Sequence, residues 1–238
     1  MKQLWSMIKN DFKNYRKYHF LSIILLISVL FGFLMAYGRL FPPIIYIYIS
    51  VFILPVISYS VTLVIAAQQG DLYVSDSDIS PHYFAFGKML SALIVQLIPL
   101  LIYIIVFLLA LNYSFNLLAF ILIYILSSMM HIMIGLSLSM IAKSSFSLSM
   151  SYLVYIIVFS IIPIFYSLGF LESKLINYIL IISPAYLSGV IFESIIHQFH
   201  AVETWFVYVA VILQLVYIGL LYMFVVKPFI DSYLRHNH

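Results

Sequence analysis

Apolar residues fill this chain in long unbroken runs, and the charged residues collect in the gaps between them. Six runs of about 18 or more positions contain no Asp, Glu, Lys or Arg: 20–37, 44–67, 89–111, 117–142, 146–170 and 204–226. Each is long enough, at 1.5 Å per residue, for an α-helix to cross a hydrocarbon layer about 30 Å thick. The pattern predicts an all-α polytopic membrane protein with six transmembrane helices. No polar remainder is long enough for a separate globular domain, so 1–238 reads as a single transmembrane domain.

Three gaps have patterns of their own. Wound at 100° per residue, the segment 1–19 gathers Leu4, Trp5, Ile8, Phe12 and Tyr15 in one arc and Lys2, Lys9, Lys13, Arg16 and Lys17 in the next. This predicts an interfacial helix with its apolar side in lipid and its cations, Lys9, Lys13, Arg16 and Lys17 among them, reaching lipid phosphates. The segment 171–203 is too apolar for an ordinary loop and is broken at Ser183-Pro184. Its halves, Leu175 to Ile182 and Ala185 to Phe199, are each too short to cross, which predicts an external re-entrant hairpin before the last span.

The third gap, 68–88, places three of the eight acidic residues between two apolar spans. Gly70 can end the second span, Asp71 to Val74 can form a helical turn, and Asp76, Asp78 or Ser80 can cap the next helix. Ser80-Pro81 is a helix start, with Pro at the first helical position. A helix running from Pro81 to Leu111 is about 46 Å long, more than the hydrocarbon layer needs, so it projects from the membrane. With Leu72, Tyr73 and Tyr83 exposed among acidic groups, the segment reads as a partner contact, with a solvated connection bearing helix caps as the alternative. Elsewhere Pro55, Pro99 and Pro163 are tolerated kinks, and Gly135 with Ser139 forms a small-xxx-small pair for close helix contact.

Composition agrees with the pattern: 65% of residues are hydrophobic, 8% are charged, and mean hydropathy is +1.15. Of eleven Lys and Arg residues, nine fall at the ends and gaps on the side of the two termini, and only Arg39 and Lys174 on the other. Basic residues are retained in the cytoplasm, so both termini are expected there. The pI near 8.9 reflects that retention rather than nucleic-acid binding. An apolar first run without a small-x-small cleavage site predicts a retained helix rather than a signal peptide. The lack of cysteine removes disulfides and thiolate chemistry.

The interior carries little chemistry. No charged residue lies inside a predicted span, which weighs against ion-coupled carriers and pumps. The polar exceptions are Gln96, His131 and Gln214, read as interhelical hydrogen-bonding groups, with substrate contact or a proton relay as the sharper alternative. His131 with Ser127 or Ser128 is the only nominal catalytic pairing for an intramembrane enzyme. Gly87-Lys88 fails as a phosphate-binding loop, because His82 stands where Gly is needed and Met89 where Ser or Thr is needed. Glu193, His197 and His200, with Glu203 beyond them, recur at helical spacing; they read first as the wet face of an interfacial helix, with a divalent-metal site as the sharper alternative.

The order of these features resembles the membrane subunit of the ABC-2 family of bacterial ABC transporters, across nearly the whole chain. The matching positions in 68–88 are Gly70, Asp71, Leu72, Ser80, Pro81, Tyr83 and Lys88, and Gln68 and Gln69 stand where the family often has Glu. Ser183-Pro184 resembles the family's Asn-Pro element before the last span. The resemblance implies an exporter of drugs, lipids or amphipathic peptides in the bacterial cytoplasmic membrane. It also implies no cofactor in this chain, a second permease copy or related chain, and a separate ATP-binding subunit carrying ATP and Mg. That subunit would dock on 68–88, Asp76 and Asp78 included. A stand-alone channel is the competing expectation.

Overall fold

The computed structural model describes residues 2–38, 41–68, 81–111, 115–142, 144–167, 178–196 and 204–236. They form a bundle of helices, with no strand among the described residues. The first helix, α1, spans Lys2–Lys17, and a sharp turn leads to α2 at Phe20–Phe33. His19 makes that turn with φ 61°, a left-handed conformation that His adopts more readily than bulkier or branched residues. A π-helical turn, Leu34–Gly38, ends α2.

The next elements follow the apolar runs. Helix α3 covers Pro43–Gln68, and α4 covers Pro81–Val106 before a π-helical turn at Phe107–Leu111. Helix α5 spans Leu117–Ile141, where Asn116 caps the start by accepting from the Ala119 amide at 3.1 Å. Ser144 does the same for α6, Ser145–Ile156, accepting from the Ser147 amide at 3.1 Å. The chain continues through a π-helical turn, Ile157–Ile161, into α7 at Ile162–Ser167. Helix α8 is Pro184–Ile196, and α9 is Thr204–Leu221. Beyond the predicted end at 226, α9 runs on through a π-helical turn, Tyr222–Val226, into an amphipathic α10 at Lys227–His236.

Among the described residues, five stretches are long and apolar enough to cross a bilayer: Phe20–Gly38, His82–Leu111, Leu117–Ile141, Phe146–Phe165 and Thr204–Asp231. That set marks a multi-pass membrane protein. Their outer faces agree, since Leu26, Leu109, Val154 and Phe224 stand exposed where lipid tails would meet them. Polar side chains such as Ser28, Ser50, Ser127 and Gln214 are turned inward instead.

Helix α5 is the axis of the bundle, and every residue from Met130 to Ser137 is buried. It crosses α3 at Gly135, where an added methyl would stand 3.1 Å from the Val56 Cα and 3.3 Å from the Val56 carbonyl oxygen. Glycine is therefore what allows the two backbones to touch. The close pair read from Gly135 and Ser139 has Gly135 as its contact point.

Helix α1 differs from expectation in what covers it. Its apolar stripe is not left for lipid: Met7, Ile8 and Tyr15 are buried, with Met7 and Tyr15 in one core with Phe84, Ala85, Ala92 and Val95 of α4. Burial, together with the neighbouring Asp11 carboxylate, pushes the Tyr15 phenol well above its usual range. Lys9, Lys13, Arg16 and Lys17 stay on the exposed side beside Trp5. The amphipathic pattern is real, and the start of α4 supplies the apolar surface that covers it.

Candidate functional site

Two polar constructions stand out in an otherwise apolar interior. The first surrounds the start of α8. Ser183 precedes Pro184 and caps the helix, its Oγ accepting from the Tyr186 amide at 3.2 Å. The same hydroxyl donates to the Phe159 carbonyl at 2.6 Å. Pro163, four residues on, has no amide hydrogen to give that carbonyl. The residue before the cap is held as well, since the Tyr217 hydroxyl donates to the Ile182 carbonyl.

One turn further along α8, Ser188 meets a network from three other helices. The Ser188 Oγ lies 3.1 Å from His131 Nε2 of α5 and accepts from Gln214 Nε2 of α9 at 3.1 Å. Gln214 also donates to Ser127 Oγ at 3.1 Å. On the far side of the imidazole, the Tyr155 hydroxyl of α6 is 2.9 Å from His131 Nδ1. All of Ser127, His131, Ser188 and Gln214 are fully enclosed.

One proton arrangement satisfies every group. Tyr155 donates to Nδ1, so the imidazole carries its hydrogen on Nε2 and gives it to Ser188, whose own hydrogen goes to the Pro184 carbonyl at 3.4 Å. Ser188, His131 and Tyr155 stand in the order of a nucleophile, a base and an orienting group. In this arrangement the imidazole, protonated on Nε2, does not take the serine proton. What remains is a neutral, mutually satisfied knot that fixes the start of α8 against α5, α6 and α9.

The polar positions singled out from sequence separate here. His131 and Gln214 meet through Ser188, whereas Gln96 of α4 is buried elsewhere, its Oε1 without a partner among the described residues. Ser127 bonds to Gln214 rather than His131, and Ser128 Oγ has no partner among the described residues, so neither forms the nominal pairing with His131. Sequence reading singled out Ser183 with Pro184 but missed Tyr155 and Ser188, which are ordinary residues in a chain with twenty Tyr.

The second construction lies at the start of α4. Lys88 is turned inward and paired with Asp11 of α1, with both side chains buried. The other Asp11 oxygen accepts from Ser91 Oγ at 2.7 Å, and the Lys88 ammonium lies 5.5 Å from the centre of the Phe84 ring. Lys88 is thus held internally, although its place in the chain beside 68–87 suggests an outward contact. Tyr83 is exposed, as expected for a contact residue. Beside it opens a groove of about 400 Å³ between α4, α5 and α9, floored by Phe86, Met89, Met133 and Ile218. His82 and Tyr222 share a hydrogen bond at its edge.

Gln68 closes α3 and Pro81 opens α4. Between them, Gln69, Gly70, Asp71, Leu72, Asp76, Asp78 and Ser80 lie outside the described residues, as do His197 and His200. Glu193 is buried on α8. Among the described residues no group of three His, Asp or Glu side chains is placed to hold a metal. No protein-family model matches the chain, and no curated protein matches it.

Proposed function

We propose that this chain is the membrane-spanning subunit of an ATP-driven exporter of the ABC-2 type, moving hydrophobic or amphipathic molecules. In this reading α3 is the sixth crossing, α1 is the elbow element, and α8 is the inner arm of the external re-entrant hairpin. Both termini lie in the cytoplasm of a bacterial cell. Two such chains, or this one with a related chain, form the pathway. A separate subunit supplies ATP hydrolysis with its Mg and docks on 68–88.

The observation that carries the reading is the over-long α4, one continuous helical rod from Pro81 to Leu111. About 46 Å of helix exceeds a hydrocarbon layer of about 30 Å by roughly half, so its first turns stand clear of the membrane and are open to a partner. A rod rooted among the spans and directly following an acidic segment is suited to carry displacement inward. The interior gives it something to move and no power of its own. The polar side chains around α8 are neutral and bonded to one another, so the bias between states comes from a partner that binds those states differently.

The apolar groove at the foot of α4, α5 and α9 suits the class of cargo. Its floor includes two methionines, whose flexible thioethers fit irregular apolar shapes. A channel reading gains nothing from the closed hydrogen-bonded knot around α8.

The test is reconstitution with an ATP-binding subunit encoded beside this chain. Inverted vesicles holding both should accumulate a fluorescent amphipathic dye only with ATP. Replacing Asp71, Asp76 and Asp78 together by Ala should abolish co-purification while leaving the chain in the membrane. Dye movement through the purified chain alone, without ATP, overturns the proposal in favour of a pore.

A further inference from the structure

The contact between α1 and α4 is built with more specificity than adhesion needs. On α1 it uses Leu4, Met7 and Asp11; on α4 it uses Phe84, Gly87, Lys88 and Ser91, each set following one face of a helix. The fit is close at Gly87, where a methyl would meet the side-chain ends Leu4 Cδ1 at 3.0 Å and Met7 Cε at 3.2 Å. Into this apolar seam the chain places a carboxylate and an ammonium. Removing both from water is costly, and a buried ion pair gives little net stability over apolar residues of the same size. What it does give is geometry. Leucine against methionine tolerates rotation and sliding, whereas Asp11 reaches both the Lys88 ammonium and the Ser91 hydroxyl at one rotation and one register only.

We infer that the Asp11–Lys88 pair locks α1 to the foot of α4, so that the two move as one body and α1 belongs to the coupling apparatus. Asp11 is then a positioning residue for the start of α4. A push on that segment displaces the first turns of α4, and through Asp11 it displaces a helix whose outer side carries Lys9, Lys13, Arg16 and Lys17. The functional part of the inference rests on the proposed docking at 68–88, while the one-body motion does not.

A chain without cysteine allows a direct measurement. Nitroxide labels at Lys9→Cys and Tyr83→Cys, both exposed positions, report the α1–α4 separation by pulsed electron spin resonance in lipid nanodiscs. The otherwise unchanged chain should give one narrow distance peak. Asp11→Asn and Lys88→Met, close in volume to the native residues, should each lose that peak to a broad distribution, and the exchange Asp11→Lys with Lys88→Asp should recover it. A peak that stays narrow in both single variants, or stays broad in the exchange, overturns the inference. If the single variants do not fold, Ser91→Ala keeps both charges and should broaden the peak partway; an unchanged width there overturns it equally.

The coupling part is read with the ATP-binding subunit present. Asp11→Asn should retain that subunit yet hydrolyse more ATP per dye molecule moved, and an unchanged ratio refutes it. Failure of the unmodified chain to bind the subunit sinks the exporter reading and leaves the distance measurement standing.

Discussion

Replacing Gly135 by Ala should destabilise the protein relative to the same replacement at Gly219, although both glycines lie in helices. In each case alanine gains helix propensity, by about 1 kcal/mol. At Gly219 the new methyl meets nothing within 4 Å, so that gain stands alone. At Gly135 it would stand 3.1 Å from the Val56 Cα and 3.3 Å from the Val56 oxygen, against about 3.5–4.0 Å for a relaxed carbon contact. The atoms in the way are backbone of α3 and cannot rotate aside. Relief requires α3 and α5 to separate, which also pulls the Val56 carbonyl from the Tyr152 hydroxyl that donates to it. Overpacking of this kind costs about 1–3 kcal/mol. Because propensity cancels between the two variants, their difference isolates that steric cost. Thermal unfolding in one detergent should place Gly135→Ala below Gly219→Ala by about 2–4 °C per kcal/mol. A Gly135→Ala protein that melts at or above Gly219→Ala would refute the close crossing of α3 and α5.

The knot around α8 yields two more expected outcomes. His131→Leu and Gln214→Leu each leave a buried partner unsatisfied, at about 1–3 kcal/mol, and both act through Ser188. Their combined effect on unfolding should therefore fall short of the sum, and additivity to within about 0.3 kcal/mol would dissolve the network. Pro163→Ala returns an amide hydrogen to the Phe159 carbonyl, which then no longer depends on Ser183. Ser183→Ala should cost about 1–2 kcal/mol in the native background and clearly less in the Pro163→Ala background, whereas equal costs would show that the proline does not free that carbonyl.

Crossing helices are legible in a sequence because their cause is additive. About twenty apolar residues in a row suffice, and no partner has to be known. The break at Ser183-Pro184 is equally local, since cap and proline act on their own neighbours. The knot is not local. His131 and Gln214 are conspicuous as polar residues in apolar runs, but Tyr155 and Ser188 are compatible with any membrane helix. Their pairing depends on which helices touch, at which rotation and depth. Pro163 shows the same boundary: its kink is foreseeable, while the use of the freed carbonyl by a serine twenty residues later is a matter of tertiary structure.

Asp11 and Lys88 lie between these cases. Each is a charge standing in its own helix's apolar stripe: Asp11 is three residues after Ile8 and four before Tyr15, and Lys88 is four after Phe84 and four before Ala92, all buried. An unpaired charge at such a position would be too costly to keep, so the pattern alone calls for an opposite charge on whatever packs there. Lys88 looks like a contact for another protein when it is placed by its distance along the chain from an acidic loop. Placed by its angle around the helix, it turns away from solvent, and Tyr83 becomes the outward group on the same turns. Angle is the better guide wherever a helix projects from a membrane, because only one of its faces remains for a partner once the chain's own helices have taken the others.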